Sequence, residues 1–76
     1  MTASILRTIS EVLKTKVDMD TSQKNCSKWD SLMQIHIMIA LEEEFGITFQ
    51  PEDFVRMTDI RSIDRKIKNK MLIEQD

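Results

Sequence analysis

The chain has 76 residues, which allows one small domain and excludes an enzyme built of two lobes with a cleft between them. Apolar residues make up 41% and charged residues 32%, so the composition is that of a globular protein whose function must fit on a surface or at one modified residue. The formal net charge of -2 argues against a nucleic-acid-binding protein that depends on neutralising phosphates.

Cysteine use and hydropathy predict the compartment. Cys26 is the only cysteine, so the sequence can form neither an intrachain disulfide nor a metal-binding cysteine pair, and a reducing setting follows. The longest apolar stretch, residues 32–41, is interrupted by Gln34 and His36 and has only half of the roughly 20 residues that span a bilayer. Polar residues also interrupt the N-terminal segment, unlike the apolar centre of a secretory signal. We therefore expect a cytoplasmic protein that does not insert into a membrane.

The first predicted element is a helix over about residues 3–16, followed by a long loop over residues 17–29. Apolar residues recur at helical spacing in the helix, and charged residues occupy its other side. The apolar positions are Ile5, Leu6, Ile9, Val12 and Leu13. The loop is rich in Asp, Thr, Ser, Asn and Lys and has neither a helical nor a strand period.

The second predicted helix begins after Asp30, which has the residue type of an N-cap, and ends before Gly46, which suits a left-handed C-cap. Ser31 is then the first helical residue. A β-branched run, residues 35–39, alternates like a strand, but the whole element is too long for one. The helix is apolar over most of its circumference, which is typical of the central element of a small bundle.

Two further helices are predicted in the last third of the chain. Ile47 and Phe49 are expected to enter the core from a loop, and Pro51 begins a short helix that ends near Met57. Thr58 is the predicted cap of the last helix. One stripe of that helix is apolar and comprises Ile60, Ile63, Ile67 and Met71. The pattern predicts an all-α fold with three longer helices and one short helix.

The side chains that could carry catalysis or bind a metal are poorly arranged for either. Ser31 and His36 stand roughly 140° apart around a helix, so they cannot pair as nucleophile and base. His36 is the only histidine, and Glu43 lies roughly 10 Å away along the helix, too far to share one small ion. We expect neither an enzyme nor a metal site.

Ser31 is notable for its position. The first residue of a helix lies beside unpaired backbone N–H groups that carry partial positive charge, so a phosphate ester on its hydroxyl would be favoured. An Asp-Ser pair that merely starts a helix is the alternative. A second clue is the acidic run of residues 42–44 in the last turn, where the helix dipole disfavours negative charge. A solvated face explains that run equally well.

Taken together, these segments resemble an acyl carrier protein. The matching segments are Trp-Asp-Ser-Leu at residues 29–32, Ile-Ala-Leu-Glu-Glu-Glu-Phe-Gly-Ile at residues 39–47, Pro-Glu-Asp at residues 51–53 and Thr-Asp-Ile at residues 58–60. The resemblance extends from the first helix to about Ile67. It implies a four-helix bundle that forms a single carrier domain over residues 1–76, with a long loop between its first two helices.

The resemblance implies that one residue, Ser31, carries the chemistry. Ser31, with Asp30 as its neighbour in the motif, would be esterified by the phosphate of 4'-phosphopantetheine taken from coenzyme A. The thiol of that arm would carry acyl groups as thioesters, so the cofactor supplies the reactivity and the protein supplies delivery. The implied partners are a phosphopantetheinyl transferase and acyl-activating, acyl-transferring or ketoacyl synthase-type enzymes. We expect a monomer, with Cys26 outside this chemistry.

The resemblance also implies two sets of residues around the arm. The face that meets partner enzymes would include Leu32, Met33, Ile39, Glu42 and Glu43, whose carboxylates attract basic patches at long range. An acyl chain would enter the apolar space between helices. Its implied lining is Met38, Phe45, Phe54 and Met57.

Four departures from the family pattern indicate a specialised member. Many members have glycine where this chain has Lys28 and a small residue where it has Trp29, which puts a bulky aromatic residue next to the arm. They also have acidic residues where this chain has Met33 and His36. We therefore expect a carrier for a dedicated lipid, surface-glycan or secondary-metabolite pathway. The alternatives are an aminoacyl or peptidyl carrier, and an unmodified helical adaptor that binds another protein through its second helix.

Overall fold

The computed structural model describes residues 1–74, and within them the chain forms four helices. These are α1 (Thr2–Leu13), α2 (Ser31–Phe45), α3 (Pro51–Arg56) and α4 (Ile60–Glu74). The predicted all-α fold, with three longer helices, one short helix and a long first loop, is confirmed. No helix in this part of the chain is both long enough and apolar enough to cross a membrane.

The core is formed by one face of each long helix and by residues from the connections. α1 packs against α2 and α4, and α2 packs against α3. Ile47 and Phe49 enter this core from the connection between α2 and α3, as predicted. The residues with no exposed surface are Ile5, Ile9, Ile37, Met38, Leu41, Ile60, Ile63 and Ile67. The predicted stripe of α4 is therefore confirmed for its three isoleucines.

α1 is shorter than its sequence pattern predicts. It ends at Leu13, not near residue 16, because Lys14 adopts the left-handed conformation with φ 56° and ψ 41°. Ser10 then closes the end of the helix: its Oγ donates to the carbonyl of Thr15 at 2.7 Å, and its own carbonyl accepts from the Thr15 N–H at 3.3 Å. A serine side chain bonded to the backbone in this way competes with continuation of the helix.

The cap of α4 also differs from the prediction. α3 ends at Arg56, one residue earlier than expected, and the N-cap of α4 is Asp59 instead of Thr58. The Asp59 carboxylate accepts from the Ser62 N–H at 3.1 Å and from the Ser62 hydroxyl at 2.7 Å. Thr58 lies one residue before the cap position because α4 begins at Ile60, and its carbonyl accepts from the Gln23 N–H at 2.8 Å.

The long loop is attached to the start of α4. Ser22 and Asp59 form an isolated antiparallel bridge, in which the Ile60 N–H donates to the carbonyl of Thr21 at 3.1 Å. Next to it, the Arg61 guanidinium donates to the Asp20 carboxylate at 2.8 Å, and this hydrogen bond raises the pKa of Arg61 above its usual value. These contacts fix the course of the chain that leads to α2.

Candidate functional site

The start of α2 presents Ser31 to solvent. Asp30 is the N-cap, with extended backbone angles of φ -102° and ψ -173°, and its Oδ1 accepts from the Met33 N–H at 2.8 Å. The Asp30 carbonyl accepts the first helical hydrogen bond, from the Gln34 N–H at 2.9 Å. Ser31 is therefore the first helical residue, and its side chain is exposed. Both features agree with the sequence analysis.

The electrostatics at Ser31 favour an anion. The N–H groups of Ser31 and Leu32 precede the first helical hydrogen bond, so they have no acceptor within the helix and carry the positive end of its dipole. The Asp30 carboxylate opposes this, but it is already bonded to the Met33 N–H. A phosphate ester on the Ser31 hydroxyl would thus find two backbone donors within the same helical turn.

A cleft of about 310 Å³ lies beside Ser31. Its walls come from the first two turns of α2, from α3, from the connection between α3 and α4, and from the long loop. The lining residues are Gln23, Ser31, Gln34, Ile35, Phe54, Val55 and Thr58. A larger groove, of about 510 Å³, lies between α1 and the second half of α2 and is not lined by Ser31. The smaller cleft is the relevant one because it borders the candidate hydroxyl.

Trp29 lies in the core, which corrects the expectation of a bulky aromatic residue beside the arm. Only 1% of its surface is exposed. Its indole N–H donates to Oε1 of Gln34 at 2.7 Å, and Nε2 of Gln34 donates to the carbonyl of Met57 at 2.8 Å. Tryptophan has a large apolar surface and is highly buried on average, so its residue type could have predicted a place in the core.

The residues expected to meet partners do not share one environment. Leu32 and Ile39 are 60% and 43% exposed, whereas Met33 is half-buried and packs against the core. Glu42 is half-buried and its Oε2 accepts from the Phe49 N–H at 2.7 Å. Glu43 is exposed and borders the groove between α1 and α2. Of the two carboxylates, Glu43 alone is free for a partner among the contacts within residues 1–74.

The residues expected to line an acyl pocket belong to one core and differ in how deeply they are buried. Met38 and Met57 are buried in the core, with 0% and 5% of their surfaces exposed. Phe45 and Phe54 are half-buried and pack against that core. Phe54 also stacks edge-on against Phe49 with ring centroids 6.4 Å apart, and of these four expected residues it alone lines the cleft beside Ser31.

Five of the seven residues that line the cleft were missed by the sequence reasoning, and two of the five are exposed apolar residues. Ile35 is 45% exposed and follows Ser31 by one helical turn, while Val55 in α3 is 77% exposed. The spacing of four residues from Ser31 could have identified Ile35, because such positions share a helix face. With Leu32 and Ile39, Ile35 forms an exposed apolar stripe on α2, and Val55 extends the exposed apolar surface onto α3.

The described residues provide Ser31 with no activating base. Its hydroxyl has no hydrogen-bond partner within residues 1–74, and His36 is exposed on another side of α2. The arrangement suits a hydroxyl that receives a group from a separate enzyme. A family model described as "Phosphopantetheine attachment site" matches residues 3–63, which cover α1, α2, α3 and the start of α4. No curated protein matches the chain.

Proposed function

The chain belongs to the phosphopantetheine-attachment family of carrier proteins, and we propose that Ser31 bears the arm and that the cargo is an acyl group. Its covalent cofactor is 4'-phosphopantetheine, and members of the family generally deliver cargo without catalysing its conversion. The observation that carries the assignment to Ser31 is its exposed position at the first residue of α2.

The residues around Ser31 fit such a group. The exposed hydroxyl can be reached by a transferase, and the N–H groups of Ser31 and Leu32 can stabilise the phosphate. The cleft of about 310 Å³ borders the same hydroxyl and offers Ile35 and Phe54 as apolar contacts. When attached, the arm supplies a thiol that forms thioesters, and the protein supplies the position from which that thiol is presented.

An acyl cargo is supported by the charge of α2. Glu43 and Glu44 are exposed in its last turn, where the helix dipole disfavours negative charge, so neither carboxylate is there to stabilise the end of α2. Glu44 lies 3.8 Å from Arg7, but an exposed pair of this kind contributes little to stability. Carboxylates at this end suit partner enzymes with basic patches.

The exposed apolar stripe supports a docking surface next to the arm. Leu32, Ile35 and Ile39 on α2, together with Val55 on α3, are the large apolar side chains exposed around the cleft. Phosphopantetheinyl transferases and acyl-handling enzymes are the general partners of carrier domains. We expect this surface to contact them, in the cytoplasm and with the carrier as a monomer.

A dedicated pathway is supported by the absence of acidic residues at two positions near the start of α2. Met33 and His36 occupy positions where many carriers have acidic residues, and His36 is exposed where a partner would read it. We infer a carrier for a lipid, surface-glycan or secondary-metabolite pathway, served by its own acyl-activating, acyl-transferring or ketoacyl synthase-type enzymes.

Intact mass spectrometry after incubation with a broad-specificity phosphopantetheinyl transferase and coenzyme A tests the proposal. The wild type should gain the mass of one phosphopantetheine group. Ser31→Ala should gain none, and Ser27→Ala, which removes another exposed serine four residues earlier, should behave as the wild type. No gain in the wild type would instead favour an unmodified adaptor. Subsequent loading with acyl or aminoacyl donors separates the two kinds of carrier.

A further inference from the structure

We propose that Gln34 is a positioning residue that holds α3 against the start of α2 and keeps the cleft beside Ser31 narrow. The consequence of this role rests on the proposed function. If Ser31 carries the cargo, that cargo stays outside the cleft until the contact between Gln34 and Met57 opens. The contact itself is a feature of the unmodified protein.

The geometry places Gln34 between the two walls of the cleft. It lies in α2, one turn after Asp30, and it lines the cleft together with Ser31, Phe54 and Val55. Its Nε2 donates to the carbonyl of Met57 at the end of α3, at 2.8 Å. Since Gln34 and Met57 are only 4% and 5% exposed, water does not compete freely for this hydrogen bond. Separating α3 from α2 must break it.

Trp29 fixes the direction of the contact. An indole N–H can only donate, so the Gln34 side chain must turn its oxygen to Trp29 and its amino group to Met57. Turning the amide over would bring two donors together and two acceptors together. Trp29, which precedes Ser31 by two residues, therefore connects the segment that carries the serine to the end of α3 through one buried chain of hydrogen bonds.

The position of this contact gives it a function. The cleft of about 310 Å³ opens to solvent between α2 and α3, so cargo that passes from it toward the core must separate the two helices at Gln34 and Met57. Parting them leaves the amide of Gln34 and the carbonyl of Met57 without each other, which is unfavourable for buried groups. The contact thus favours cargo that remains in solvent, where partner enzymes can reach it.

Hydrogen exchange of the unmodified protein tests the positioning role. Gln34→Met keeps the size and burial of the side chain but removes both hydrogen bonds. We expect the amides of α3 to exchange about tenfold faster in this variant, since a buried hydrogen bond contributes about that factor to local opening. Trp29→Phe, which keeps an aromatic ring and removes the indole N–H, should shift α3 in the same direction, and the cavity that it leaves in the core should lower the global stability as well. Ile9→Val is the control because it loosens the core at α1, away from the cleft.

Cleavage of the thioester by hydroxylamine tests the consequence. With an octanoyl group on the arm, the thioester of Gln34→Met should be cleaved several times more slowly than that of the wild type because the cargo enters the widened cleft. With an acetyl group the two cleavage rates should agree.

Unchanged hydrogen exchange in α3, or the same change in Ile9→Val, would refute the positioning role. Faster exchange with unchanged cleavage of octanoyl would refute the control of cargo. Failure of Ser31 to accept the arm would overturn the proposed function. The hydrogen-exchange experiment would still test the positioning role of Gln34, because it uses the unmodified protein.

Discussion

The Glu42 carboxylate accepts a hydrogen bond from the backbone N–H of Phe49, with Oε2 2.7 Å from the nitrogen. This contact joins the last turn of α2 to the connection that carries Phe49 into the core, where only 4% of its surface stays exposed. The next residue, Glu43, is exposed and makes no such contact within residues 1–74. Two adjacent glutamates that look equivalent in the sequence therefore have different roles.

Glu42→Ala should lower the free energy of unfolding by about 1–2 kcal/mol. A hydrogen bond to a charged group contributes about 1.5–3 kcal/mol. Removing the carboxylate also removes its unfavourable interaction with the helix dipole, which offsets part of this loss. Glu43→Ala should change stability by less than about 0.5 kcal/mol, as expected for an exposed side chain. Urea denaturation measures both. Equal losses in the two variants would show that the contact with Phe49 does not stabilise the fold.

The helices were predictable because their signals are local. Apolar periodicity identifies α1 and α4, and α2 is bounded by Asp30 and Gly46, whose backbone preferences suit a cap at either end. The position of Ser31 follows from that of Asp30. Each of these inferences depends on residues within one or two helical turns, which a sequence displays directly.

The expected cap of α4 was wrong for a local reason. Asp59 directly precedes the helix and aspartate is a better N-cap than threonine, so the neighbouring residues alone could have corrected that expectation. The cleft beside Ser31 is different because it is assembled from α2, α3 and the long loop. Gln34 and Val55 could not be assigned to it from helical spacing alone, since tertiary packing brings these elements together.

The two left-handed residues that end α1 and α2 should respond in opposite directions to substitution. Lys14, at φ 56°, has a side chain that disfavours this conformation, whereas Gly46, at φ 64°, does not. Lys14→Gly should stabilise the protein by a few tenths to about 1 kcal/mol, because relief of strain exceeds the added flexibility of the unfolded chain.

Gly46→Ala should destabilise by about 1–2 kcal/mol through backbone strain alone, since a Cβ there meets nothing within 4 Å. Gly46→Asn should lose less, because asparagine tolerates this conformation better. Thermal unfolding measures these effects, and 1 kcal/mol corresponds to about 4–8 °C in Tm for a domain of this size. A stable Gly46→Ala variant would mean that the end of α2 can adopt another conformation.

Glu43 should influence how fast the carrier meets its transferase. Glu43→Gln should lower the second-order rate of phosphopantetheine loading about 1.5- to 5-fold at low salt, which is the range for one exposed charge pair. The difference should disappear at high salt, where exposed charges are screened. Glu11→Gln removes the same charge from α1 and should have a smaller effect. A loss that persists at high salt would indicate a direct packing contact instead of attraction at a distance.

His36 should help to exclude the general enzymes of fatty-acid synthesis. It is exposed on α2 where many carriers have an acidic residue, so a ketoacyl synthase with a basic docking patch gains nothing from it. The acyl form of the wild type should therefore be elongated more slowly by a housekeeping ketoacyl synthase than the acyl form of the general carrier. His36→Glu should raise that rate about 1.5- to 5-fold, as one exposed charge pair allows. His36→Gln, which adds no charge, should not. Because the side chain is exposed, both variants should keep the stability of the wild type within about 0.5 kcal/mol. Equal elongation rates for the two variants would mean that the charge at this position does not affect recognition by the synthase.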